Sequence, residues 1–209
     1  MITKKVKSLS IEGFELKLVV VENSDDLLLA SVDQAETPLW LEIWPASIGL
    51  ARWFLQGPDL SGKTILELGC GLGLAGLAAA AKGAKVIMTD YVPESVELAA
   101  ESGQLNGFDT EGAVADWRNF NIQDKYDFII GADICYHPEL NPWLRKIFAA
   151  NLKPGGLLTL SDPGRHDSAI LLGQLSEDGW QMEKDTVPVS QGKFDHRIFV
   201  YKISRYQQR

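Results

Sequence analysis

Between Thr64 and Ala81 the chain passes from an apolar run, TILELG, through three glycines in five residues (Gly69, Gly71, Gly73) into a small-residue run, LGLAGLAAAAK. This passage constrains the fold more than any other stretch. A short apolar run bounded by glycine reads as a buried strand. The small residues that follow read as a helix ended by Gly83. Glycines at such a junction let the backbone turn tightly and approach a ligand, and the helix N-terminus presents unpaired N–H groups.

The same alternation repeats toward the C-terminus. KVIMTD (85–90), EGAVAD (111–116), YDFIIGAD (126–133) and LLTLSD (157–162) read as further strands. Helices are expected from Pro93 to Gly107, from Pro138 to near Asn151, and over 167–178, with a turn at Lys153-Pro154-Gly155-Gly156. WQMEKDTVPV and HRIFVYKISR, joined without a helix, read as a closing antiparallel pair that puts an antiparallel strand at the end of the sheet. Strands alternating with helices at this spacing imply a doubly wound, mostly parallel α/β sheet with helices on both faces. Upstream, residues 5–11 and 14–22 flank Glu12-Gly13 as a β-hairpin, 23–37 is an acidic loop, and Pro45 opens a helix that Gly57-Pro58 stops.

Composition narrows the function classes. The 20 basic against 28 acidic residues give a net charge of −8. That argues against sequence-independent nucleic-acid binding and against an anionic lipid surface. No apolar run approaches the ~18 residues of a membrane span. The N-terminal apolar stretch is interrupted by Glu12, Glu15 and Lys17, so it does not make a signal peptide. Cys70 and Cys135 are too few for a disulfide framework, and no His/Cys/Asp set has metal-ligand spacing. A cytoplasmic protein without a metal site is expected.

In open α/β sheets the ligand crevice lies beyond the carboxyl ends of the strands, where the glycines sit. Gly71-x-Gly73-x-x-Gly76 matches the dinucleotide fingerprint, and Asp90 ends the second strand of the alternation where an acid holds ribose hydroxyls. Both features suit NAD as well as other adenosyl ligands. Three more favour S-adenosylmethionine: Glu67 inside the strand before the glycines, Asp116-Trp117 after the next strand but one, where a carboxylate and a ring suit adenine, and a closing hairpin in place of a second mononucleotide half.

ILELGCGLGLAGLAAAAKGAKVIMTD, ADW, IIGADICYHPE and LKPGGLLTLSDPGR resemble the successive motifs of class I (seven-β-strand) S-adenosylmethionine-dependent methyltransferases. LWLEIWPASIGLARWF and Asp133-x-x-Tyr136 are most similar to the protein-lysine methyltransferases that include those acting on chaperones and on the electron-transfer-flavoprotein β-subunit, and DPGR resembles the flavoprotein-directed branch. The likeness runs from about Leu39 to Arg165. It implies a Rossmann-like seven-stranded domain over 38–209 with a hairpin-and-loop extension over 1–37. It implies S-adenosyl-L-methionine as cofactor and a protein lysine as acceptor, with a small-molecule N- or O-acceptor as the alternative. Cofactor contacts are implied for Trp44, Glu67, Gly69, Cys70, Gly71, Gly73, Asp90, Tyr91, Asp116, Trp117 and Ala132. Gly69, Cys70 and Gly71 line the methionine moiety, Asp90 holds ribose, Tyr91 and Trp117 flank adenine, and Asp116 accepts from its amine. Trp44 closes one side, and Ala132 contributes backbone. Asp133 and Tyr136 are the implied catalytic pair, lining the channel through which the acceptor nitrogen reaches the methyl group, with Asp133 accepting an N–H bond.

Overall fold

A computed structural model describes residues 3–24 and 38–205. The expected acidic loop falls almost wholly on 25–37, outside the described residues. The chain begins with a hairpin, β1 (Lys4–Ile11) and β2 (Phe14–Val21), which forms its own two-stranded sheet. Helix α1 (Pro45–Gln56) follows, opened by Pro45 where a missing N–H is harmless. Then come β3 (Thr64–Leu68), α2 (Leu74–Ala81), β4 (Lys85–Asp90), α3 (Pro93–Asn106), β5 (Thr110–Val114), β6 (Tyr126–Ala132), α4 (Asn141–Asn151), β7 (Leu152–Asp162), α5 (His166–Glu177), β8 (Trp180–Gln191) and β9 (Phe194–Arg205).

The seven main strands lie in the order β5-β4-β3-β6-β7-β9-β8. Pairing is parallel from β5 to β7, and β9 runs antiparallel to both β7 and β8. The antiparallel strand is thus the last but one, with β8 at the edge. Chain order reverses between β3 and β6, so the switch point lies where Gly69–Gly73 and Asp133–Tyr136 leave the sheet.

Side-chain alternation along β3 builds both faces. Ile65 joins the core under α1, α2 and α3, with Leu50, Phe54, Leu77 and Leu98. Leu66 and Leu68 join the core under α4 and α5, with Leu144, Phe148 and Leu171. Period two then aims Glu67 at the α2 side. The hairpin's Leu16, Leu18 and Val20 belong to the first core, and Val19 N–H donates to Ser102 Oγ of α3 at 2.8 Å.

Two local expectations change. The helix expected from Pro138 begins as a 3-10 turn (Pro138–Leu140) and becomes α-helical only at Asn141. The expected turn at 153–156 is absorbed into β7 as an irregularity: Tyr126 pairs with Leu152 but Phe128 with Leu157, and Gly155 takes φ +76°. Three extra residues on one strand are a bulge, which keeps the ladder going where a free turn would end it.

Candidate functional site

Gly69, Gly71 and Gly73 have φ of +62°, +52° and +79°. Only glycine occupies that region without penalty, so the spacing is a backbone requirement. The turn is tied down on several sides. Cys70 N–H donates to Thr89 O at 2.9 Å, and Gly71 N–H donates to Asp90 Oδ2 at 3.0 Å. Ser95 Oγ–H donates to Gly71 O at 2.7 Å from the first turn of α3. A β-carbon built on Gly71 meets nothing nearer than Trp40 O, at 3.7 Å. The segment before α1 therefore lies over the turn, its backbone within van der Waals reach of a side chain placed there.

Asp90 is buried, and its Oδ1 accepts from Val92 N–H at 3.1 Å. Burial pushes its carboxyl above the usual range against the pull of these N–H donors. Tyr91, next to it, is 67% exposed. Trp44 is 36% exposed, and its indole N–H donates to Leu39 O at 2.8 Å, pinning the ring to the same segment as Trp40. Trp117 lies across Gly69, where an added β-carbon would meet Trp117 Cζ2 at 3.3 Å and Ile134 Cγ2 at 3.0 Å.

Three predicted residues are placed otherwise than pure ligand contacts would be. Glu67 is enclosed beneath α2, where Oε1 accepts from Gly76 N–H at 3.1 Å and Oε2 has no hydrogen-bond partner. Burial pushes its carboxyl up to about 8. Its position braces the helix behind the glycine turn. Asp116 is half-buried and engaged by Arg118, with N–H···Oδ1 at 2.9 Å and guanidinium contacts from 2.7 Å. Cys70 is buried, and its thiol is pushed well up by desolvation, so it serves as backbone and packing.

Across the switch point Ala132 ends β6, paired with Ser161. Asp133 then takes φ +55°, one of two non-glycine residues with positive φ among the described residues. Its N–H donates to Ser161 O at 2.7 Å. Both carboxylate oxygens accept from Arg165, Nε–H at 2.6 Å and Nη2–H at 2.7 Å. Tyr136 is half-buried, its ring centroid 4.6 Å from that of His137. Burial pushes its phenol up to about 12, reinforced by Tyr91, Asp90 and Asp133 and opposed by Arg165. Its hydroxyl thus feels both the Asp90 side of the crevice and the Asp133–Arg165 pair.

Arg165, Ser95 and Ile134 were not among the predicted site residues. Arg165 stands in the DPGR run, but its partner is 32 residues earlier, and no local period links them. A groove of about 580 Å³ between the hairpin and α3, lined by Lys4, Lys5, Val6, Val19, Glu101, Gln104 and Leu105, lies by the C-terminal half of α3, whereas the crevice lies by its N-terminus.

A model of a lysine methyltransferase family matches residues 23–168. The chain is 31% identical over 137 residues to the electron transfer flavoprotein beta subunit lysine methyltransferase of Homo sapiens, covering 61% of this chain and 50% of that one. It is 37% identical over 110 residues to a protein N-lysine methyltransferase of Danio rerio, covering 49% of this chain and 50% of that one. The chain spans about half the length of these curated relatives. Among solved structures, the T. thermophilus 16S rRNA N2 G1207 methyltransferase in complex with AdoMet and guanosine superposes with a TM-score of 0.67 at 20% identity, over 97% of this chain and 51% of that one. At that identity the likeness speaks for the fold alone.

Proposed function

The chain belongs to the lysine methyltransferase family, and on that premise we propose that its crevice binds S-adenosyl-L-methionine and methylates the ε-amine of a lysine on a cytoplasmic protein. The observation that carries this reading is convergence. The glycine turn, Asp90, Trp117 and the 133–136 turn meet at one switch point, inside the stretch the family model matches. The fit to the cofactor rests on the three positive-φ glycines, which leave the backbone of the turn bare of side chains, and on the exposed rings of Trp44 and Tyr91 at the same edge. The two free thiols, Cys70 and Cys135, support a reducing compartment.

In this reading the backbone of Gly69, Cys70 and Gly71 holds the methionine moiety, with Gly73 completing the turn. Asp90 uses its remaining lone pairs for ribose hydroxyls while anchoring Gly71. Tyr91 and Trp117 flank the adenine, and Asp116, steadied by Arg118, accepts from its amine. Trp44 closes the pocket, and the Ala132 backbone borders it. Glu67 acts from beneath as a brace on α2. When bound, the sulfonium supplies an activated methyl group for an amine lone pair.

The protein's share is orientation and exclusion of water. A lysine must arrive neutral, which costs ~4 kcal/mol at pH 7.4 from an unperturbed pKa of ~10.4. The half-buried wall at Tyr136 offsets part of that by disfavouring the ammonium. Its phenol, held near 12, stays a neutral donor and acceptor in the working range. The pocket is tested by calorimetry with S-adenosylhomocysteine and NAD. Micromolar binding of the first, none of the second, and loss of binding in Gly71→Val are expected. Tighter binding of NAD overturns the reading.

A further inference from the structure

Asp133 carries the feature that the reaction as read above leaves unused. It is only 9% exposed, sits in the left-handed region, and gives both carboxylate oxygens to one guanidinium. Asp tolerates that backbone better than most residues, but it stays there only when its surroundings hold it. Two constraints do so: the N–H bond to Ser161 O and the two-point bond to Arg165.

Arg165 is itself aimed. Asp162 is buried, and its Oδ1 accepts the backbone N–H groups of Gly164 and, at 3.0 Å, of Arg165. That tight turn at the end of β7 points the guanidinium back at the end of β6. On the other side of Asp133, Ile134 sits against Gly69, so the 133–136 turn is wedged between the glycine turn and Arg165. Tyr136 rides on that turn.

We propose that Arg165 is a positioning residue for methyl transfer: by clamping Asp133 it fixes the turn that carries Tyr136 to the acceptor side of the crevice. The clamp has a chemical corollary. The two-point bond to Arg165 gives Asp133 a positioning role that needs no proton transfer to its carboxylate. The amine loses its proton to solvent before it reacts. This rests on the reading that the crevice transfers methyl groups, and goes beyond it by assigning Arg165 and reassigning Asp133. A planar fork matched to a carboxylate is not replaced by an ammonium, so lysine at 165 keeps the charge but loses the two-point geometry.

The test is a double-mutant cycle of Asp133→Asn and Arg165→Met, with Arg165→Lys as the conservative variant. Each is assayed for transfer of deuterated methyl to lysate lysines, for S-adenosylhomocysteine affinity by calorimetry, and for melting temperature. Each single variant is expected to lose roughly 10- to 100-fold in rate per folded molecule, the scale of a small misplacement. Cofactor affinity should stay within about twofold of wild type, and the double variant should be no slower than the worse single one. Arg165→Lys should recover part of the loss. The rate of Asp133→Asn should still climb with pH between about 7 and 9 with the wild-type midpoint, because the climb reports the amine. Additive losses, or a wild-type profile that is flat where Asp133→Asn climbs, overturn the proposal. So does a fall in melting temperature with the rate per folded molecule unchanged. Wild-type label on another acceptor, or none, instead counts against the reading of the function. On another acceptor the same cycle, read on that product, still decides for or against the clamp.

Discussion

Asp90 shows how one side chain serves two ends. Its Oδ2 takes Gly71 N–H and its Oδ1 takes Val92 N–H, so it fixes the glycine turn and the entry to α3 together. In the proposed function its removal also costs the ribose hydrogen bonds. Asp90→Ala is expected to weaken S-adenosylhomocysteine by roughly 1.5–3 kcal/mol in calorimetry, the range for hydrogen bonds to a charged group. An unchanged affinity would reduce Asp90 to a turn brace. Glu67 gives a second residue-scale prediction. Burial pushes its carboxyl up to about 8, well above the ordinary carboxylate range, so the folded state holds the proton more tightly. The stability this contributes is fully present below the unfolded pKa and is lost as pH rises toward about 8. Against Glu67→Gln, which stays neutral, wild type should lose stability in urea titrations between about pH 5 and 8. Parallel curves would show that Glu67 does not titrate there. The sequence marks Glu67 and Asp116 as acids at the right strand ends. It does not show that one is sealed under α2 or that the other is engaged by Arg118, because those facts come from packing and from a rotamer two residues away.

At the scale of elements, the strands and helices from Thr64 to Asn106 follow their signals to within a residue or two, because β3 and α2 run into glycine and α3 begins at proline and ends at glycine. The bulge at 153–156 does not, since Pro-Gly-Gly reads locally as a turn and only its neighbour β6 makes it part of a strand. The seat of α1 is also tertiary. A β-carbon on Gly49 would lie 2.7 Å from Ile198 Cγ2, so this glycine lets the helix press onto β9. Arg52 donates to Pro188 O and Trp53 Nε1–H to Asp185 Oδ2, at 2.8 Å for the latter, fixing α1 further against β8. Gly49→Ala should therefore destabilise by about 1–3 kcal/mol through overpacking, despite the ~1 kcal/mol that alanine gains in a helix. With Ile198→Ala, which removes the Cγ1 and Cγ2 atoms facing Gly49, the two losses should be less than additive. A stabilised Gly49→Ala in chemical denaturation would show that the interface yields.

At the scale of the molecule, the sheet order brings the candidate site residues to one edge, and that convergence was legible: glycines after one strand, an acid after the next, and an acid and a tyrosine after the central neighbour. What the sequence leaves out is long-range pairing across the crevice, of which Asp133 with Arg165 is the clearest case. The net charge of −8 is compatible with a lysine acceptor, since a negative field favours the approach of a cation. The most direct measurement of the proposed activity is peptide mass spectrometry of lysate proteins after incubation with this protein and deuterated-methyl S-adenosylmethionine. The account predicts heavy methyl groups on lysine side chains of protein. Label confined to small molecules, or to arginine, histidine or carboxylates, would contradict it.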